Sequence, residues 1–395
     1  MSEKKQVKKL SEKIKKYSIY VKPVIYLFGT FIALYGLYEV LIFCKIDVLN
    51  VLVSPFFVFL FISICIALIR FVVEILKIED LDSSASYTLV ENESDSLIEM
   101  LKEAEENARW AEIIKLGSAL SDFLWYTSRK KLRLVIGGFV EVAATQLKDD
   151  KTLATTLIED IGNTTMVLGY PDKGIDAIKK GISIAKEHEY YYLVARGYRN
   201  LANSYALKND SQRSGEYLKK AEESVTKIIE KAQQLEALGG IEYARCKTEE
   251  HRSNYDQALI ALQKSIEYYE ELSKLYPETD NMNQDRLVKV YREMGIVLVK
   301  QGNVQDAKSI LYEGLRRAQS TLNHENIVRC CINIAKILLD SEYASDLGAI
   351  HNIEGMLNLA KQHIDKTDIP SIRKEYNDVS RRFEIEKESV KKIES

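Results

Sequence analysis

The residues able to ligate a metal, relay a proton or attack a carbonyl are few and scattered along this chain. Five histidines stand at His188, His251, His324, His351 and His363. None forms the HExxH pair that places two imidazoles on one helical face. The five cysteines, Cys44, Cys65, Cys246, Cys330 and Cys331, show no Cys-x-x-Cys spacing. Cys330 and Cys331 are adjacent, so on a helix their side chains diverge by about 100° and cannot share a metal ion. They read as reduced core thiols. Gly137-Gly138 and Gly239-Gly240 fall inside helical patterns, not in a loop that could cradle phosphate. No nucleophile–base pair can be nominated, so the expectation is a non-enzyme with no cofactor and no metal. One carboxylate, Glu39, stands inside an apolar run, the setting in which an ionisable side chain can mark an ion path.

The elements that would position these residues begin with two apolar runs. Pro23 to Cys44 carries Glu39 as its only charge. As a helix it would be ~33 Å long, enough to cross a bilayer core of ~30 Å. Val48 to Ile69 has no charge, and only Lys45-Ile46-Asp47 separates the runs. The pattern predicts a transmembrane helical hairpin over 23–78. Pro55 either kinks the second span or starts it with Ser54 as cap. Gly29, Ala33 and Gly36 share one face of the first span. Two readings stay open for that stripe, packing against the second span or association between protomers as a homo-oligomer. Glu39 is either part of an ion path or close enough to the outer interface to reach headgroup water. Residues 1–22 hold eight lysines against Glu3 and Glu12, leaving a net charge of -9 on the rest of a chain whose total is -3. This basic arm is expected to lie as an amphipathic helix on an anionic inner leaflet. It would keep the N-terminus cytoplasmic and, after two spans, return the chain to the same side. The expectation is thus an integral membrane protein with both termini cytoplasmic, in a bacterial cytoplasmic membrane. The acidic remainder argues against nucleic acid as a partner.

A polar, acidic linker is expected over 79–96, and from 97 the pattern is helical almost throughout. Tyr291 to Gly314 shows the recurring unit. Tyr291, Met294, Gly295 and Leu298 share one helical face, Gln301-Gly302-Asn303 makes a turn, and Ala307, Leu311 and Gly314 share a second face. Gly295 and Ala307 sit where the two helices would touch backbone to backbone. Relatives of the unit place small residues at Gly117, Gly162, Ala202, Cys246, Gly295 and Ala335, in steps of 40 to 49 residues. Such a period signals a solenoid of stacked helical hairpins.

On the apolar-small pair of the first helix, the Gly/Asn turn and the small residue opening the second helix, the chain resembles the tetratricopeptide repeat family over roughly 110–361. The fold class expected is all-α, the transmembrane hairpin followed by a right-handed α-solenoid of such helix pairs over 97–368. A capping helix is expected over 369–395. The resemblance implies that the first helices line a concave groove that binds segments of other proteins. It places Asn163, Arg196, Arg199, Asn200, Asn203, Lys247, Lys289, Arg292, Lys300, Arg329 and Lys336 along that groove. This basic lining would favour an acidic segment of a protein partner; in the other reading these cations are solvated faces paired with neighbouring glutamates. Arg199 and Asn203 have the spacing of a carboxylate clamp used by some relatives, but Ala244 replaces its partner asparagine.

The function expected is a membrane-anchored scaffold or adaptor that binds a protein partner through its solenoid. The alternative is a membrane-disrupting or channel-like effector whose repeats sense a signal, as in a prokaryotic defence or stress system. A receptor on a eukaryotic organelle stays open as a third reading.

Overall fold

A computed structural model describes residues 83–277, 280–321, 323–340 and 347–394, and among them every regular element is helical. A leading helix α1 (Ser83–Glu106) precedes the pair α2 (Trp110–Tyr126) and α3 (Lys130–Leu147). The second pair has a composite first helix: α4 (Asp150–Thr155), a π-helical segment (Thr156–Asn163) and α5 (Thr164–Val167), packed on α6 (Pro171–Glu187). Four further pairs follow: α7 (Tyr191–Leu207) with α8 (Ser211–Val225), α9 (Lys231–His251) with α10 (Tyr255–Leu275), α11 (Asp280–Lys300) with α12 (Val304–Ser320), and α13 (His324–Leu339) with α14 (Leu347–Ile364). Neighbouring pairs stack, α7 on α9, α10 on α11 and α12 on α13. A last helix, α15 (Pro370–Glu394), buries Ile372, Val379 and Phe383 against α13 and α14.

The turn inside a pair has a recurring design. A middle residue adopts the left-handed conformation, Asn209 at φ 58° and Gly302 at φ 90°. The next N–H then bonds back into the helix just ended, Asp210 to the Tyr205 carbonyl at 2.9 Å and Asn303 to the Leu298 carbonyl at 2.8 Å. This satisfies carbonyls that the helix end would leave open. Ser128 and Ser253 take the same conformation without glycine's freedom, at φ 63° and 59°.

Between the helices of a pair the contact is apolar. Leu311 is fully buried and seats in the notch left by Gly295, where a Cβ would stand 2.5 Å from its Cγ. The contact expected there was backbone against backbone; it is a side chain filling a notch. Backbones do approach at Gly162 and Gly174, where a Cβ on Gly174 would lie 2.7 Å from the Gly162 carbonyl oxygen.

Two sequence expectations change. The stretch 79–96, read as a linker, is helical from Ser83 onward; its Leu and Glu are good helix formers even without an apolar stripe. The expected localisation as an integral membrane protein with both termini cytoplasmic is corrected. Among the described residues no helix is long and apolar enough to cross a membrane. Their helices form a repeat with charged residues on one face and apolar residues on another. The spans expected within 23–78, with Gly29, Ala33, Gly36, Glu39 and Pro55, lie outside the described residues, as does the basic arm 1–22.

Candidate functional site

The first helices carry many charged side chains, and the structure shows what those charges meet. The π-helical segment brings Glu159 and Asp160 together, both buried. Glu159 takes Arg196 Nε at 2.8 Å and Arg199 Nη2 at 3.7 Å, and Asn200 Nδ2 donates to it at 3.3 Å. Its backbone carbonyl accepts Arg133 Nη1 at 2.8 Å. Burial pushes the Glu159 carboxyl up, but Arg196, Arg199 and Arg133 together hold it below the usual range. Asp160 accepts from Ser121 and pairs with Arg133 at 2.7 Å. There burial prevails over Arg133 and the Asp160 carboxyl is raised.

The pattern continues down the array. Glu236 on α9 accepts from Tyr192 and pairs with Arg286 at 2.9 Å. Against the upward push of burial, Arg286 and Arg196 bring its pKa down to about 2. Glu293 pairs with Lys247, which also reaches Glu250 at 3.3 Å; Lys300 reaches Glu250 at 2.5 Å. Asp285 pairs with Lys289 at 2.9 Å and accepts from Asn323 and Asn326. Arg329 reaches Glu325 at 3.0 Å, and Lys336 reaches Glu375 of α15 at 2.5 Å. Where both charges are buried, as in Arg133–Asp160, they hold one another in place, and removing either partner strands the other.

Most of the cations expected to line an open groove are therefore matched to carboxylates of this same chain. Arg196, Arg199, Lys247, Lys289, Lys300, Arg329 and Lys336 all have such partners. Asn200 is buried within the network, and Asn163 lies half-buried at the end of the π-helical segment. Arg292 is the exception among them: it donates to Asn326 Oδ1 at 3.3 Å and makes no ion pair among the described residues. Asn203 Oδ1 is buried without a hydrogen bond, and Ala244, at the vacant clamp position, is fully buried in the core.

Sequence reasoning left open that these cations pair with glutamates, but it named none of the carboxylates, and it missed Gly240. A Cβ on Gly240 would stand 2.7 Å from Arg199 Nη1, so this glycine makes the space in which Arg199 lies against α9. Gly239 makes the same room for the Tyr269 ring. The signal was available: a Gly-Gly pair inside a helix that has no turn to make.

It also missed that the array meets itself. Lys130, at the start of α3, is 1% exposed and lies 3.5 Å from Glu325 on α13. Its ammonium also sits 3.7 Å above the Trp125 ring, and Lys289 of α11 approaches the same ring at 5.3 Å. Burial brings the Lys130 pKa down to about 8, with Glu325 opposing. Asp368, beyond α14, accepts from the Lys130 and Lys131 backbone N–H groups at 2.9 and 2.7 Å. Its own N–H donates to the Ser128 carbonyl. The N-cap of α3 is Arg129, whose side chain caps nothing. A carboxylate from the far end of the array does that work, where the helix dipole favours negative charge. The first and last pairs thus share a seam.

On another part of the surface, α10, α11 and α12 form an apolar groove of about 490 Å³ lined by Leu259, Ile260, Met294, Leu298 and Ile310. The thiols among the described residues are buried: burial pushes Cys330 up to about 12 and raises Cys246 and Cys331 as well, which disfavours the reactive thiolate. Among the described residues no group of His, Cys, Asp or Glu could hold a metal ion.

No protein-family model and no curated protein matches the chain. One solved structure that does is the TPR2AB-domain:pHSP90-complex of yeast Sti1, at 14% identity, covering 68% of this chain and 99% of that one, with a TM-score of 0.25. The fold description rests on the helix pairs themselves.

Proposed function

We propose that this chain is a protein-interaction scaffold whose inner face receives an acidic segment of a partner. The observation that carries the reading is the row of cations on the first helices paired with carboxylates of the same chain. Its cations already hold carboxylates, and a partner's carboxylates can take the same positions. Lys300 and Lys336 are the points of first contact, since their side chains keep 47% and 40% of their exposure while reaching Glu250 and Glu375. The Lys336–Glu375 pair, exposed on both sides, exchanges at little cost, about 0–1 kcal/mol. Arg292 adds a guanidinium with donors to spare. The role is one of binding, since the face offers hydrogen-bonded and ion-paired groups in place of an activated nucleophile.

A photocrosslinking residue placed in the full chain at Lys300, Lys336 or Ile260 tests this in source cells. Protein adducts from the first two positions, competed by an acidic peptide, are the expected result. Adducts from Ile260 alone would move the function to the apolar groove and sink the inner-face reading.

A further inference from the structure

We infer that the seam between the first and last helix pairs is an acid-sensitive latch on the inner face, held shut while His324 and His363 share one hydrogen bond and released when both take a proton. The inference rests on the inner-face reading only for what the latch admits; the latch itself is measured with no partner present.

The geometry is specific. His324 opens α13 and is 1% exposed; His363 stands near the end of α14. Their Nδ1 atoms are 2.6 Å apart and their ring centroids 4.8 Å apart. One ring nitrogen donates and the other accepts, so the contact holds a single proton. A second proton sets two N–H donors head to head and removes the bond. The charged groups acting on His324 are His363 and Lys366 from the α14 end and Arg129 from the α2–α3 turn, while Lys366 acts on His363. All are cationic or become so, and Arg129 belongs to the opposite side of the seam. Burial, then these neighbours, hold His324 down to about 3 and keep His363 below its usual value. Protonation therefore favours a state in which the histidines separate.

The same two histidines flank the parts that bridge the seam. Glu325, next to His324, holds Lys130, and Asp368, shortly after His363, holds the first two N–H groups of α3. Moving the ends of α13 and α14 apart pulls both away. The array would then open where its first and last pairs meet, exposing the cations that Glu325 now shields.

Hydrogen exchange at the Lys130 and Lys131 amides of the full chain reads the latch directly. First-turn amides of a helix have no intrahelical acceptor and normally exchange fast. Here Asp368 should protect them near pH 7.5. Near pH 5, corrected for intrinsic rates, protection should fall roughly tenfold or more, the scale of losing a charge-assisted hydrogen bond. Amides of α9 should stay protected, which separates opening from unfolding. His363→Gln, at the half-buried position, should keep the protection near pH 5, and the double variant with His324→Gln should do so more fully. Fast exchange at both pH values would overturn the latch. A pH response persisting in the folded double variant would overturn the histidines as its sensor.

Discussion

The two sides of each first helix are held by different physics. Toward its partner helix, α11 presents Gly295 and Leu298 to Ala307 and Leu311, and the contact is apolar, close-packed and local in sequence. On its charged side α11 carries Asp285, Lys289, Arg292 and Glu293; Lys289 pairs with Asp285 within the helix, while Glu293 reaches Lys247 on α9 and Asp285 and Arg292 reach Asn326 on α13. The apolar side packs each pair and runs on into its neighbours; the ionic side adds links between first helices and, through Lys130 and Glu325, joins the last pair to the first. A repeat protein stabilised by nearest neighbours alone would have no need of that last link.

The largest expected effect comes from breaking the ionic side at its most connected point. Glu159→Ala removes the carboxylate that Arg196 and Arg199 share and should destabilise the full chain by about 3–5 kcal/mol in denaturant unfolding. Replacement by Gln should recover part of that loss, because the amide oxygen still accepts. On the apolar side, Leu311→Ala should cost about 2–5 kcal/mol by leaving a cavity beside Gly295. It should leave crosslinking at Lys300 and Lys336 unchanged, whereas Glu159→Ala should alter it. Equal effects of both changes on the inner face would erase the distinction between the two sides.

Acid should separate them next. Glu236 and Glu325 titrate at about 2 in the fold against 4.5 for a free carboxyl, and His324 at about 3 against 6.5. In each case the unfolded chain binds more protons between the two values. The histidine contribution is therefore complete above 6.5 and declines as pH falls toward 3. The carboxylate contribution is complete above 4.5 and declines toward 2. Thermal stability should fall in that order on acidification, with the inner face and seam lost before the apolar pairs. The smallest effect is expected at Lys300→Ala, about 0–1 kcal/mol, since that side chain is half in solvent. A loss as large as that of Glu159→Ala would place Lys300 inside the network rather than at its edge.

The apolar side was legible in the sequence. Apolar and small residues recur at helical spacing, and the small positions from Gly117 to Ala335 each fall in the first helix of a pair. The cations were named from the sequence too, but the carboxylates they meet were not. Periodicity assigns a glutamate to solvent, and Glu159, Glu236, Glu293 and Glu325 find their partners on other helices. The π-helical segment that turns Glu159 and Asp160 inward leaves no compositional trace. The seam was hidden for the same reason, since nothing in the residues around Lys130 points to Glu325 or Asp368.

The measurement that bears most directly on the closed, self-satisfied inner face is a double-mutant cycle across the seam in the full chain. Lys130→Met, Glu325→Gln and the pair would be compared in denaturant unfolding. The account predicts a coupling of roughly 1–3 kcal/mol, the double variant losing less than the two single losses combined. Strict additivity would mean that the two ends do not meet, and the inner face would then be an open groove.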